Sequence, residues 1–574
     1  MGAPGTGSVA TPGSTDRPWL SHYPPGVAKE VEVPNLRLPD AIAASVRGWP
    51  KRTAIEFYGS RWSYERFWEA TGRVAACLYR DGFRAGDRIA LYLPNCPVHP
   101  IAFLGAMRLG VVVVPVSPLS IGDDLVHVLG ITEPKGIVTL DILYKNLGRV
   151  ADRIALPVRY VCPLRDLYPF YVRPFVNAAL RKRGYAPGFP TDPDVRRWAT
   201  LLRAAEEFPT PRGDPSQEVA VLQGTGGTTG VPKAAMLSHR NLLANALQCQ
   251  AWFHTERPGE TVVLAAIPLT HVYGMTVGLT YPLLNAGTIV LELRPEAGEM
   301  LRLIARHRPT QIPGVPTLYR AIADHPRVAR YDLRSVRVCI SGSAPLPMEV
   351  ARRFESITGG SLLEGYGLTE ASPVTHANPI ERAYRREGSI GLPFPSTDQK
   401  VVDLETGRTE VTVGEAGELA VRGPQVMLGY YRNPEETARA LRDGWLLTGD
   451  VAIIDADGYA FVIDRKKDMI DIGGLKVYPR EVEEVLYRHP GIAEAAAIGV
   501  PDPSLGEVVR AYVVPKPGVT VTEAEVIAFV RERLAHYKAP RSVEVRASLP
   551  RSPIQKVLRR SLREEPARSA PRSA

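Results

Sequence analysis

The chain has 574 residues, a length at which a single hydrophobic core has usually given way to several domains. Its composition, 45% hydrophobic and 23% charged, excludes a coiled coil, a long disordered chain and a polytopic membrane protein, while 50 Gly and 52 Pro in no collagen-like period imply many turns between short elements. A net charge of +9, from 70 basic and 61 acidic residues, does not imply nucleic acid and leaves a weak pull toward anionic ligands or surfaces.

Residues 1–30 lack the basic start and apolar run of a secretory signal and are expected to form a flexible arm. From 38 to about 161, helical and strand patterns alternate. Phe67, Thr71, Val74, Ala75 and Leu78 keep helical spacing, 88–93 reads as a buried strand, 98–109 as a helix and 111–116 as a strand. This βαβ rhythm predicts an α/β fold with a mostly parallel sheet and helices on its faces.

The segment 165–185 breaks that rhythm, setting Tyr168, Phe170, Tyr171 and Phe175 beside Arg173, Arg181, Lys182 and Arg183. Such a piece suits the surface of an anionic membrane; the alternative is a surface helix whose aromatics pack on its own domain. Alternation resumes after 218. Residues 261–291 carry no Asp, Glu, Lys or Arg, but Pro268, His271, Gly274, Pro282, Asn285 and Gly287 interrupt them, which favours a buried strand–helix–strand over a membrane span.

From 388 to 464 short segments with turn signals such as Asp443-Gly444 and Asp457-Gly458 suggest a small antiparallel β subdomain. A different unit begins at 465 and runs to 562, with helices at 479–488 and 522–534 and strands at 495–500 and 507–514. Residues 563–574 read as a disordered tail. The five cysteines, Cys77, Cys96, Cys162, Cys249 and Cys339, form no CxxC or metal-ligand spacing, so a reducing, cytoplasmic setting without disulfides is expected.

The most informative stretch is Thr225, Gly226, Gly227, Thr228, Thr229, Gly230, Val231, Pro232, Lys233. Its glycines let backbone N–H groups converge on an anion, its threonines add hydroxyl donors and Lys233 adds charge, although a plain hairpin turn has the same composition. It is not a Walker A loop, because Gly-Lys-Ser/Thr is missing. Downstream follow Glu364-Gly-Tyr-Gly-Leu-Thr-Glu370, Thr448-Gly-Asp450, Asp464-Arg465 and Pro550-Arg-Ser-Pro-Ile-Gln-Lys556. The ordered set resembles the adenylate-forming superfamily of acyl-CoA synthetases, non-ribosomal adenylation domains and luciferases, over about 34–560. Within it, the opening 17–27 and the basic aromatic insertion look like bacterial long-chain fatty-acid–CoA ligases.

The resemblance implies a large adenylation domain at 31–464, a mobile α+β domain at 465–562, and fatty acid, ATP and CoA as substrates with Mg²⁺ as cofactor. Nucleic acid is not among the partners; a homodimer and peripheral contact with the inner face of the cell membrane through 165–185 stay open. ATP's triphosphate would rest on 225–230 beside Lys233, with Thr225 and Glu370 as Mg²⁺-facing oxygens. Gly342, Ser343, Ala344, Gly365, Tyr366 and Gly367 would enclose adenine, with Glu364 and Thr369 in the same motif. Asp450 would bind the ribose hydroxyls, and Arg465 would be a second nucleotide contact. His271, Tyr273 and Gly274 would line the mouth of the acyl pocket.

Lys556 would bridge the substrate carboxylate and the α-phosphate, Lys467 would be the hinge, and Gly473 and Gly474 would line the pantetheine tunnel. Taken alone, Glu370 also reads as a helix-start carboxylate, His271 as a core histidine, Asp450 as a turn residue and Gly473-Gly474 as a β-turn. Gln555 departs from the glycine that the family usually has before its lysine. The implied reaction is formation of acyl-AMP and transfer to CoA. The rivals are an aryl or medium-chain acid–CoA ligase, an acyl-AMP ligase that loads a carrier protein, and a non-catalytic acyl- or nucleotide-binding protein.

Overall fold

The run Val112–Val116 has no polar face, and a computed structural model buries all of it near the middle of an eight-stranded sheet. The structure describes residues 17–182, 185, 189–190, 192, 194–203, 207–225, 233–551 and 557–564. In spatial order the sheet runs Gly429–Tyr430, Lys233–Ser238, Val219–Thr225, Val112–Val116, Arg88–Tyr92, Gly136–Leu140, Val158–Cys162 and Val195–Arg197. From Val219–Thr225 onward the pairs are parallel, as the βαβ rhythm requires. The first two strands are antiparallel additions, and Thr225 pairs with Lys233 across the loop 226–232, which lies outside the described residues.

A second layer of strands centres on Thr288–Leu291 and Val338–Ser341, and the uncharged stretch 261–291 forms its core. It folds as strand Val262–Ala265, helical turns from Val272 to Leu284 and strand Thr288–Leu291, with nearly every side chain buried. Among the described residues no helix is long and apolar enough to cross a membrane. The expected β subdomain is antiparallel throughout, joining Asp398–Val402, Gly417–Arg422, Trp445–Ile454 and Ala460–Arg465. The C-terminal unit wraps helices Pro479–Tyr487 and Glu523–Arg531 around a five-stranded sheet.

Two expectations are corrected. The flexible arm does not extend to residue 30, because from Arg17 the chain is docked. Trp19 and Tyr23 are buried, the Tyr23 hydroxyl donates to Pro393 O at 2.6 Å, its ring meets Trp252 edge-on, and Arg17 Nε reaches Asp398 Oδ1 at 2.7 Å. Gly458, at φ +87°, is required there: a Cβ on it would lie 2.9 Å from the Trp19 backbone nitrogen. Likewise the tail begins later than 563, since helix Arg559–Glu564 continues through it and Arg563 lies 3.1 Å from Asp468.

In the insertion, Tyr168 packs on its own domain against Phe57 and Tyr58, whereas Phe170, Tyr171 and Phe175 are 80%, 64% and 72% exposed. Helix Arg173–Lys182 carries Arg181 and Lys182 in its last turn; Arg183 lies outside the described residues.

Docking of the N-terminal segment rests on Trp19, so Trp19→Ala should cost about 3 kcal/mol, as large aromatic truncations do. Amide hydrogen exchange of residues 17–31 should then accelerate by at least tenfold; unchanged protection would show that the segment is held elsewhere.

Candidate active site

The nucleotide motifs converge because the ends of separate strands carry them. Tyr366 lies on Ser361–Gly367, Asp450 on Trp445–Ile454 and Arg465 ends Ala460–Arg465, paired directly with Asp450. The Asp450 side chain is buried and both its oxygens are engaged: Tyr366 donates its hydroxyl to Oδ2 at 2.5 Å, and Arg465 Nε lies 2.8 Å from Oδ1. Burial and the facing carboxylate push the Tyr366 phenol well up, so it stays a donor, and Asp450 raises Arg465 further. Each carboxylate oxygen keeps a second lone pair for a ligand hydroxyl.

Around this cluster the backbone is packed closely enough to require glycine. Gly365 lies against Ile340, where a Cβ would approach to 2.6 Å, and one on Gly367 would strike Pro373 O. The Gly342–Ala344 loop follows strand Val338–Ser341, with Ser343 at φ +67°. Burial pushes the Glu364 carboxyl up to about 7, opposed by the charge of Arg480 from the C-terminal unit. Thr369 opens the short helix Thr369–Ala371 that carries Glu370.

On the phosphate side, the structure supplies a connection the motifs do not show. Glu370 Oε1 accepts the Tyr430 hydroxyl at 2.7 Å, and the Tyr430 ring lies 5.1 Å from Lys233 Nζ, which is ion-paired with Glu436. Thr225 and Lys233 thus flank the loop as expected, but Lys233 is held by a carboxylate on helix Pro434–Ala440 rather than directed only at the loop. Gly226, Gly227, Thr228, Thr229 and Gly230 lie outside the described residues.

The segment bearing His271 and Tyr273 meets strand Val338–Ser341, against which Gly365 also packs. Tyr273 is buried, donates its hydroxyl to Ile340 O at 2.7 Å, and a Cβ on Gly342 would come 3.3 Å from its ring. Gly274 packs so closely that a Cβ would lie 2.2 Å from Pro268 O. His271 caps the turn Val272–Met275 by accepting the Tyr273 N–H on Nδ1, and burial lowers its pKa to about 4, so the ring is neutral near pH 7. Gln223, two residues before Thr225, donates to Thr270 O at 3.1 Å, tying this segment to the phosphate strand.

At the domain boundary Lys467 sits in the turn Lys466–Asp468. Gly473 and Gly474, at φ +59° and +89°, close the hairpin between Ile470–Ile472 and Leu475–Val477, so the β-turn reading holds as geometry. Gln555 and Lys556 lie outside the described residues. Sequence reasoning missed Tyr430, Glu436, Arg480 and Arg559. Only Tyr430 and Glu436 had a local signal, the strand-like Gly429-Tyr-Tyr431 before Pro434-Glu-Glu436.

This architecture is that of the adenylate-forming superfamily. The chain belongs to its AMP-binding enzyme family: the model for AMP-binding enzymes matches residues 42–431, and the AMP-binding enzyme C-terminal domain matches 481–556. It is 41% identical to a long-chain-fatty-acid–CoA ligase of Bacillus subtilis, over 96% of this chain and 98% of that one. To the enzyme of the same name in Escherichia coli O157:H7 it is 37% identical, over 95% and 98%. The crystal structure of ATP-bound MatB from Rhodopseudomonas palustris superposes with a TM-score of 0.76 at 30% identity, covering 92% of this chain and 99% of that one.

His271 generates a pH prediction. Its folded pKa, about 4, lies below the unfolded value of 6.5, so the unfolded chain binds more protons between them and stability rises with pH across that window. His99, His239 and His376, lowered by burial to about 3, 3 and 4, act in the same sense. Glu364 and Glu292, raised by burial to about 7 and about 8, act in the opposite sense above 4.5, so the test is a difference: between pH 4 and 6.5 the melting temperature of His271→Asn, which keeps a cap acceptor but cannot titrate, should rise with a smaller slope than that of the parent. An unchanged slope would show that the ring titrates as if exposed.

Proposed function

We propose that the protein is an ATP-dependent long-chain fatty-acid–CoA ligase, joining a fatty carboxylate to ATP's α-phosphate with loss of pyrophosphate and then exchanging AMP for CoA. The observation that carries this reading is the junction at Ile340, whose carbonyl accepts the hydroxyl of Tyr273 from the buried, uncharged segment and whose side chain lies against Gly365, the neighbour of Tyr366 in the Tyr366–Asp450–Arg465 cluster. The nearly full-length similarity to enzymes named long-chain-fatty-acid–CoA ligase supports it.

In this reading Asp450 accepts the two ribose hydroxyls on its remaining lone pairs, while Tyr366 and the small residues Gly342–Ala344, Gly365 and Gly367 enclose adenine, with Glu364 and Thr369 behind them. Loop 225–230 offers N–H and hydroxyl donors to the triphosphate, and Lys233 borders it as a fixed charge. Arg465 orients Asp450 through their ion pair. His271, neutral, hydrogen-bonds the fatty carboxylate at the mouth of the acyl pocket that Tyr273 and Gly274 shape.

Glu370 and Thr225 are the residues that would hold Mg²⁺: Tyr430 occupies only one Glu370 oxygen, and a cation that retains waters and substrate phosphates needs few protein oxygens. When bound, the ion neutralises triphosphate charge. Lys556 bridges carboxylate and α-phosphate, opposing their repulsion. Rotation about Lys467 then brings the Gly473-Gly474 turn to the CoA arm.

Purified protein should release pyrophosphate only with fatty acid and form a thioester only when CoA is added. Its kcat/KM should rise by up to about fourfold per methylene until the pocket is full. Lys556→Ala should slow acyl-AMP formation by at least ~10² and spare transfer from supplied acyl-AMP. Best turnover with an aryl or medium-chain acid, transfer only to a carrier protein, or absence of turnover would each replace this reading with the corresponding rival.

The exposed Phe170, Tyr171 and Phe175 next to Arg181 and Lys182 support peripheral membrane contact. Binding to anionic liposomes should weaken with salt and with Phe170→Ser plus Phe175→Ser. Salt-independent binding, or none, would remove this contact.

A further inference from the structure

Asp464 belongs to the large domain by its ladder, pairing with Val451 one step from Asp450–Arg465, and the turn containing Lys467 follows it. Yet both its carboxylate oxygens are taken by groups from beyond that turn. Oδ2 accepts the backbone N–H of Arg480 at 2.7 Å, and Oδ1 accepts from the Arg559 guanidinium at 2.8 Å as well as from its neighbour Arg465 N–H. The Arg480 guanidinium adds a third bond across the boundary, to Val462 O at 2.8 Å. Arg559 also forks onto Glu483 and reaches Asp468, whose other oxygen faces Arg563 one helical turn away.

These contacts divide by what a rotation at Lys467 does to them. The bonds from Arg559 and Arg563 to Glu483 and Asp468 join groups on the same side of the hinge and travel together. The bonds to Asp464 and Val462 span it and must break. We propose that Asp464 is a latch: a positioning residue that holds the C-terminal domain in the orientation for acyl-AMP formation and must release both Arg480 and Arg559 before CoA can react.

Two observations identify which orientation is latched. Arg559, three residues after Lys556 in the sequence, is clamped to the neighbour of Arg465, whose guanidinium rests on Asp450; helix Arg559–Glu564 is therefore tethered beside the Tyr366–Asp450–Arg465 cluster. The Gly473-Gly474 turn is withheld: a Cβ on Gly474 would meet no described atom within 4 Å, one on Gly473 would meet only Leu505 of its own domain, and Leu475 is half-exposed.

This inference rests on the two-step reading above, and the experiment separates the two. Asp464→Asn keeps the shape but loses the charge and one acceptor, so in either amide orientation an NH₂ faces a former donor, Arg480 N–H or Arg559. Both half-reactions are measured on one preparation, as pyrophosphate release and as thioester formed from supplied acyl-AMP, because their ratio is unaffected by any unfolded fraction. The ratio of the first rate to the second should fall at least tenfold, with the second at or above the parent rate. Arg559→Lys, which leaves one cation among the three carboxylates without the fork, should shift the ratio the same way. A parent protein lacking either half-reaction overturns the functional reading; an active parent with an unchanged ratio in both variants overturns the latch.

Discussion

A buried aspartate, gripped on both oxygens, holds the centre of this molecule. Asp450 is bound by a phenol from one strand and a guanidinium from another, and removing the phenol would forfeit a hydrogen bond to a charged group, a loss of about 1.5–3 kcal/mol. Three consequences follow from its position. The β subdomain is fixed to the strand that carries Tyr366, the last strand of the large domain is fixed to both, and the hinge starts from a defined place. The residue proposed to read the ribose is therefore also the one that locates the domain boundary.

The phosphate side uses a different arrangement. Glu436, Lys233, Tyr430 and Glu370 alternate charge and ring from a surface helix to the candidate Mg²⁺ carboxylate. Because Tyr430 is on a two-residue edge strand paired with Met236 and Ala235, the strand leaving the phosphate loop and the Glu370 turn are aligned through one side chain. A lysine that a motif would give wholly to phosphate thus also braces the frame around it.

Much of this was legible in the sequence because it is local. Parallel strands buried on both faces read as unbroken apolar runs, as at Val112–Val116, and the motif residues fall at strand ends where an α/β sheet exposes them. The uncharged stretch 261–291 was read correctly from its interruptions. What escaped was non-local. Trp19 and Tyr23 follow a Gly- and Ser-rich opening, and nothing near them announces a pocket made by Pro393, Trp252 and Gly458. Arg480 reaches Asp464 through a backbone N–H, which has no sequence signature, and Arg559 was legible only as one arginine among several near Lys556. Tyr168 and Phe170 are two residues apart with opposite fates, which composition cannot separate.

The docked N-terminal segment also bears on how the chain is made. Trp19 is covered by Gly458, about 440 residues further along, so its side chain leaves the ribosome long before this partner exists. At roughly 5–20 residues per second that interval is about 20 to 90 seconds. Throughout it Trp19 lacks this cover on a growing chain, whereas the partner of Tyr23, Trp252, is made about halfway through. The large domain can close over Trp19 only after the β subdomain has been synthesised, which makes completion of its fold a late event in translation.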